Sequence, residues 1–313
     1  MLISIVSPVY RASEIVQELV RKIEGSVSKI TGDFEIVLVE DGSLDNSWEI
    51  IEKLCKSNAC VKGIKLSRNF GQHLAIIAGL TYAKGDYVVV IDCDLQDNPE
   101  YIPELYKKIK EGYDIVYARR KKRNHNSFKD ITAFVYYKFL SLISEYDFDP
   151  NIGSFSIINR KVVDSFLMLN DYKSGYLGLL KWLGYKYAYV EVGRSDRYTG
   201  KSSYTLKKLF DHASRLTISY SNRLLLLSIY IGVLFSTLSF IGILYLFYQY
   251  FFIGYRIGWT SIMVMISFVG GIIMFLLGIL GLYIGAIFDQ VKSRPLFLVE
   301  QALNTEEEMY AKR

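Results

Sequence analysis

Short apolar runs alternate with amphipathic stretches along the first 120 or so residues of this chain. Leu2–Val9 is an apolar-rich run that passes through Pro8 and reads as a buried strand, and Ser13–Ser28 follows at helical spacing. Glu35–Val39 is a second strand-like run, closed by the turn-forming Asp41-Gly42-Ser43. Asp45–Ser57 places Ile50, Ile51 and Leu54 on one helical face. The alternation continues through strand Val61–Leu66, helix Gln72–Ala83, strand Asp86–Ile91, helix Pro99–Glu111 and strand Asp114–Ala118. Strands alternating with helices of this length predict βαβ units: an α/β domain whose mostly parallel sheet carries helices on both faces. Ligands of such sheets bind beyond the carboxyl ends of the strands, so polar residues just after each strand are the ones to examine.

The pattern changes further on. Phe128–Ser144 is rich in Tyr and Phe and reads either as a connecting core helix or as a helix at a membrane interface. Leu224–Tyr255 and Ile257–Phe288 carry no charged residue, and only Arg256 separates them. A bilayer core needs about 20 apolar helical residues, and both runs exceed that. They predict a C-terminal two-helix transmembrane hairpin, with helices near 224–252 and 260–287. Lys207, Lys208, Arg215 and Arg223 precede the pair, and Lys292 and Arg294 follow it. The positive-inside rule then expects both ends in the cytosol at the plasma membrane. The domains expected are a cytosolic α/β domain over 1–205, a juxtamembrane amphipathic segment over 206–223, the hairpin over 224–288 and a cytosolic tail over 289–313.

Composition refines this picture in a few places. Met1–Val6 has neither a basic segment nor a long apolar stretch, so no signal peptide is expected. Cys55, Cys60 and Cys93 are too few for a disulfide framework and lack zinc spacing, which leaves them as inert thiols. His73, His125 and His212 also lack metal spacing. The net charge of +5 suits a surface near anionic lipid, and no motif points to nucleic acid.

Chemistry concentrates in Val88-Val89-Val90-Ile91-Asp92-Cys93-Asp94-Leu95-Gln96-Asp97. A buried strand here ends on two carboxylates one residue apart. In extended chain such residues share a side, where they repel unless a cation lies between them. Mg²⁺ or Mn²⁺ commonly takes one or two carboxylates plus substrate phosphates and neutralises a diphosphate leaving group. Asp-x-Asp alone is common in loops; its place after a strand of an α/β domain gives it weight. Glu40-Asp41-Gly42-Ser43 has two readings, an ordinary turn or a site where Asp41 accepts hydrogen bonds from a base or ribose.

Taken in order, Ser7-Pro8-Val9-Tyr10, Glu40-Asp41-Gly42-Ser43, Ser67-Arg68-Asn69-Phe70-Gly71, Asp92-Cys93-Asp94-Leu95-Gln96-Asp97 with Pro99-Glu100, and Arg197-Tyr198-Thr199-Gly200-Lys201-Ser202-Ser203-Tyr204 form a specific set. The set resembles the family-2, GT-A-fold (Rossmann-like) glycosyltransferases, and among them the polyprenyl-phosphate glycosyltransferase and dolichyl-phosphate mannose synthase group. The resemblance implies that Pro8, Tyr10 and Asp41 line a nucleotide pocket, with Ser43 and Arg68 also on the substrate-binding side. It implies that Asp92 lies near the nucleotide or donor sugar, that Asp94 holds Mg²⁺ or Mn²⁺ on the diphosphate, and that Gln96 lies near the sugar or acceptor. Arg119 and Arg123 of the basic run Ala118–Arg123 would meet phosphate, their other reading being a solvated loop. Arg197, Lys201 and Ser202 fall where the family has a mobile loop that closes over phosphates.

Arg11 stands where the first motif often has Asn, and Glu40 replaces an Asp. Many relatives carry Gly-Asp-Phe-Arg where this chain has Gly153-Ser154-Phe155-Ser156, and Ser154 cannot act as a carboxylate base. A phosphate acceptor needs no such base, being largely ionised at neutral pH. The expected activity is therefore inverting transfer from a nucleotide-sugar, expected to be UDP-linked, to a polyprenyl phosphate at the bilayer. The alternatives are a different lipid or glycan acceptor, or a non-catalytic nucleotide-sugar-binding scaffold. No Gln-x-x-Arg-Trp signature of processive synthases is present. The sequence leaves open the sugar, the nucleotide and a homo-oligomer packed through the helices.

Overall fold

The computed structural model describes residues 1–121, 149, 151–169, 175–193, 223–252, 258–292, 294–305 and 311–312. These form two compact units: one includes Arg294–Arg313, and the other holds the apolar C-terminal helices.

The first unit is built on a sheet with strands β1 (Ile3–Val9), β2 (Phe34–Glu40), β3 (Val61–Leu66), β4 (Tyr87–Val90), β5 (Ile115–Arg120), β6 (Ile152–Asn159), β7 (Tyr187–Val192), β8 (Phe297–Leu303) and β9 (Ala311–Lys312). Their order is β7-β5-β6-β4-β1-β2-β3-β8-β9. The centre, β4-β1-β2-β3, is parallel as expected, and β5 pairs with β7 in parallel. β6 runs antiparallel between β4 and β5, and β8 runs antiparallel to β3. All of β1 is buried, which is why it reads as an apolar run rather than an alternating one.

Successive residues of each strand serve opposite faces. Ile5, Ile36, Leu38, Val89, Val116 and Ile157 pack with helices α1 (Val16–Val27), α2 (Ser47–Ser57) and α4 (Ile102–Ile109). Val6, Val37, Val39, Val88, Tyr117 and Ile158 pack with α3 (Gln72–Tyr82), α5 (Arg160–Leu167) and α6 (Tyr176–Trp182) on the other face. The predicted helix Phe128–Ser144 lies outside the described residues.

The expected tail contributes to this core. Phe297 of β8 is fully buried, and Trp48 Nε1 donates to Gln301 Oε1 at 3.0 Å. Lys65 meets Glu300 at 3.0 Å, so the chain's C-terminal segment closes one flank of β3.

The second unit contains α7 (Arg223–Phe252) and α8 (Trp259–Val291). Within α8, Phe268–Gly285 has a mean hydropathy of 2.3 and is long and apolar enough to cross a membrane. It alone meets that test among the described residues. Phe235 of α7 and Phe268 of α8 stack obliquely with ring centroids 5.6 Å apart.

Candidate active site

The loops after β1, β2, β3 and β4 meet at the carboxyl edge of the parallel strands, and hydrogen bonds join them in sequence. After β1, the Arg11 N–H donates to Ser43 Oγ at 2.9 Å, and Arg11 itself has φ 50. A non-glycine residue in that region is strained and is held there by its neighbours. After β2, Glu40 accepts from the Ser43 N–H and so closes the turn, a role its longer side chain fills where the related motif has Asp. Ser43 thus couples the first two loops.

Asp41 couples the second loop to the third. It is buried, and its Oδ1 and Oδ2 accept the N–H groups of Phe70 and Gly71 at 2.7 and 2.9 Å. Asn69 Nδ2 donates to the Asp41 carbonyl at 3.0 Å. Burial pushes the Asp41 carboxyl above its ordinary range, against the pull of those two amides. Gly42, at φ 64, lies so close to this loop that a Cβ would stand 2.3 Å from the Asn69 nitrogen. The glycine admits the protein's own backbone, and the Asp41 carboxylate is engaged by the third loop, in keeping with the turn reading of this motif.

The acidic motif lies on a turn. β4 ends at Val90, Cys93 and Asp94 lie in the turn, and Leu95 is left-handed with φ 56. The extended-chain reasoning that set Asp92 and Asp94 on one side therefore does not apply. Asp94 Oδ1 accepts the Gln96 N–H at 3.1 Å. Asp92 Oδ1 accepts from Gln72 Nε2 at 2.6 Å and from Ser154 Oγ at 2.6 Å. Burial pushes the Asp92 carboxyl up to about 6; Asp97 and Asp94 add to the rise, while Ser154 and Gln72 oppose it. The Cys93 and Cys55 thiols are pushed up to about 11, chiefly by burial, which keeps both protonated and unreactive.

A cation is built in beside these acids. Arg120, at the end of β5, forks onto the buried Asp97 with Nε and Nη2 at 3.1 and 2.9 Å. Gly153 leaves room for that guanidinium, since a Cβ there would stand 3.0 Å from Nη2. Arg119, one residue earlier, pairs with Asp149 at 2.8 Å and lies 5.6 Å from the Tyr189 ring.

The carboxyl edge of the parallel strands thus gathers Asp41, Asp92, Asp94 and Asp97, with Arg120 committed to Asp97. Residues 4–167 match glycosyl transferase family 2. The chain belongs to that family. Relatives run nearly end to end with it. Uncharacterized glycosyltransferase YkcC of Bacillus subtilis is 37% identical over 97% of this chain and 94% of its own length. The SfII prophage-derived bactoprenol glucosyl transferase of Shigella flexneri is 34% identical over 96% of this chain and 98% of its own. Among solved structures, mannosyltransferase PcManGT from Pyrobaculum calidifontis, in complex with GDP-Man and Mn²⁺, matches with a TM-score of 0.51 at 14% identity. That match covers 68% of this chain and 62% of that one, and it is a likeness of fold.

Among the described residues, the motifs that follow β1, β2, β3 and β4 thus converge at one edge. Pro8 is buried in β1 opposite Val39, while Tyr10 just beyond it is 44% exposed. Arg68 is exposed, its guanidinium 4.2 Å from the Phe70 ring. Gln96 is buried and Asp94 half-buried. Arg123, Arg197, Lys201 and Ser202 lie outside the described residues. Gln72, Asp97 and Arg120 were missed as site residues. Arg120 stood unmarked in a basic run, Asp97 inside a quoted motif, and Gln72 had only its place after Gly71 as a signal. Ser154 had been noted as a departure from the family pattern; the structure gives it Asp92 as a partner.

Proposed function

We propose that the chain is an inverting glycosyltransferase that moves a hexosyl group from a UDP-linked sugar to a polyprenyl phosphate on the cytosolic face of a membrane. The observation that carries this reading is the acidic turn at the sheet edge, Asp92 to Asp97, with Arg120 locked beside it. The names of the end-to-end relatives support the acceptor, since several are bactoprenol glucosyl transferases. In the reaction, a non-bridging oxygen of the acceptor phosphate forms the new bond to the anomeric carbon. The bond from that carbon to the diphosphate oxygen breaks, and the nucleoside diphosphate leaves with the electron pair. The acceptor brings its own negative oxygen, so a serine at position 154 is compatible with the chemistry.

The carboxylates fit a divalent cation of a particular kind. Among the described residues no group of three or more His, Cys, Asp or Glu side chains forms a metal site. A cation held by Asp94, with Asp92 near, therefore needs further oxygens from the donor diphosphate, as Mg²⁺ and Mn²⁺ commonly take them. Bound there, it would offset charge on the leaving group.

Chain topology supports the membrane arrangement. In sequence, β7 precedes the two helices and β8 follows them, and both strands belong to the unit that contains the sheet. If α7 crosses the bilayer as well as α8, the hairpin must begin and end on the same side, which keeps the site with its lipid acceptor.

The test is transfer of radiolabel from a panel of nucleotide-sugars to undecaprenyl phosphate by purified protein, with and without Mg²⁺ or Mn²⁺. A metal-dependent lipid product that is lost in Asp94→Asn is expected. Donor hydrolysis with no lipid product from any donor would overturn the phosphate-acceptor reading, and donor binding by the wild type with no turnover at all, unchanged in Asp94→Asn, would mark a scaffold.

A further inference from the structure

We propose that Gln72 and Ser154 are positioning residues for Asp92, acting as a two-sided clamp on one carboxylate oxygen. The inference rests on the transferase reading and adds to it the part of the protein that holds this acid still.

Both hydrogen bonds to the Asp92 side chain, each 2.6 Å, end on Oδ1. The donors come from different elements, the start of α3 and the strand β6. Hydrogen bonds to an ionised acceptor are short and strong, and two of them on one atom fix both side-chain torsions of the aspartate. Oδ2 is then held in one place, where a donor sugar, ribose or cation can meet it without reorganisation at the moment of reaction. Asp92 needs such support because it opens a turn and not a strand, with a strained Leu95 three residues on.

Each donor is itself anchored without help from any substrate. Gln72 follows Gly71, whose N–H is bound by Asp41, and precedes His73, whose Nδ1 accepts the Tyr176 N–H at 3.4 Å. Ser154 follows Gly153, which packs on Arg120, and its carbonyl accepts from Ser156 Oγ at 3.0 Å. Ser156 Oγ also shares a hydrogen bond of 2.9 Å with the buried Tyr176 hydroxyl. Tyr176 thus ties the two arms of the clamp together from behind.

The geometry also sets a cost on a carboxylate at position 154 in this chain. An aspartate there would set a second carboxylate against Asp92 Oδ1, with repulsion in place of a donated hydrogen bond.

The experiment is a double-substitution cycle in the full-length, detergent-purified protein, with donor kcat/KM and thermal midpoint measured for each variant. Gln72→Ala and Ser154→Ala are each expected to lower kcat/KM about ten-fold, and to lower the midpoint no further than one lost hydrogen bond does. The double variant is expected within about two-fold of the worse single one, because either loss already frees the carboxylate. Ser154→Thr, which keeps the hydroxyl, is expected to retain most of the activity, and Ser154→Asp to lose more than Ser154→Ala. Wild-type rates in both single variants would overturn the clamp, and so would losses that multiply to about a hundred-fold or a midpoint drop in either single variant as large as an unpaired buried charge produces. Should the wild type transfer no sugar at all, the transferase reading fails by itself. The same cycle is then read by titration of UDP with Mn²⁺: a shared, non-additive loss of affinity supports the clamp, and unchanged affinity overturns it.

Discussion

Arg120 holds Asp97 by a two-pronged contact, Nε to Oδ1 at 3.1 Å and Nη2 to Oδ2 at 2.9 Å, with the Asp97 side chain only 2% exposed. The negative field of Asp97, Asp92 and Asp94 outweighs burial and holds the guanidinium above its ordinary range. Two charges of one sign are thereby kept beside a third that is already neutralised, which lowers the cost of assembling an acidic turn in a half-buried place.

Removing one partner strands the other. Arg120→Ala is expected to destabilise the chain by about 3 kcal/mol, the usual cost of an unpaired buried charge. The readout is a lowered thermal midpoint in detergent. Arg120→Lys keeps the charge but loses the fork, so a smaller loss is expected.

Gly42→Ala tests the joint between the second and third loops. The new Cβ would stand 2.3 Å from the Asn69 nitrogen and 2.5 Å from the Arg68 carbonyl carbon, at φ 64. Backbone atoms cannot yield as a flexible side chain does, so a loss of at least about 2 kcal/mol is expected. Transfer activity should fall with it, because the displaced loop leads directly into Gln72.

The opposite end of the sheet carries a pH-sensitive pair. Glu35 is buried and meets Lys62 at 2.6 Å, with Ser4 Oγ and the Lys84 N–H also donating to it. Burial alone would raise its carboxyl, but these partners outweigh burial and hold it below its ordinary 4.5. A depressed acid contributes stability that is fully present above pH 4.5 and lost as pH falls through the folded value. Thermal midpoints should therefore drop on acidification below about pH 4.5, and Glu35→Gln should flatten that part of the profile while lowering stability at neutral pH.

Phe297→Ala reports on the C-terminal strand. The ring is fully buried on the α3 face of the sheet, so its loss should cost about 3 kcal/mol or more. Asn304→Ala attacks the same strand's end, where Nδ2 donates to the carbonyls of Cys55 and Val61 at 2.8 Å each. A loss of about 1 kcal/mol is expected there. If a 294–313 truncation melts like the intact chain, β8 adds no stability to the sheet.

The parallel centre of the fold was legible from periodicity. Val61–Leu66 was read with the bounds the structure has, and α1, α2 and α3 differ from the predicted helices by a few residues at their ends. β6 and β7 were not read as strands. The segment Ile152–Asn159 is interrupted by Gly153, Ser154 and Ser156, and these are the residues that face Arg120, Asp92 and Tyr176. Its polar positions serve the site and so spoil the apolar pattern by which a strand is recognised.

What the sequence determined by itself is what depends on near neighbours: the alternation of buried strands and helices, the membrane-length apolar run in α8, and the motif residues that end each parallel strand. Spacing of two, three or four residues encodes these, because backbone periodicity puts such neighbours on one face. The tertiary structure alone decided the partners. Asp41 takes its amides from a loop about thirty residues on, Asp92 shares one oxygen between Gln72 and Ser154, and Lys65 finds Glu300 across 235 positions and two apolar helices. Such pairings arise from the way the sheet stacks distant segments, and no local pattern records which distant residue will arrive.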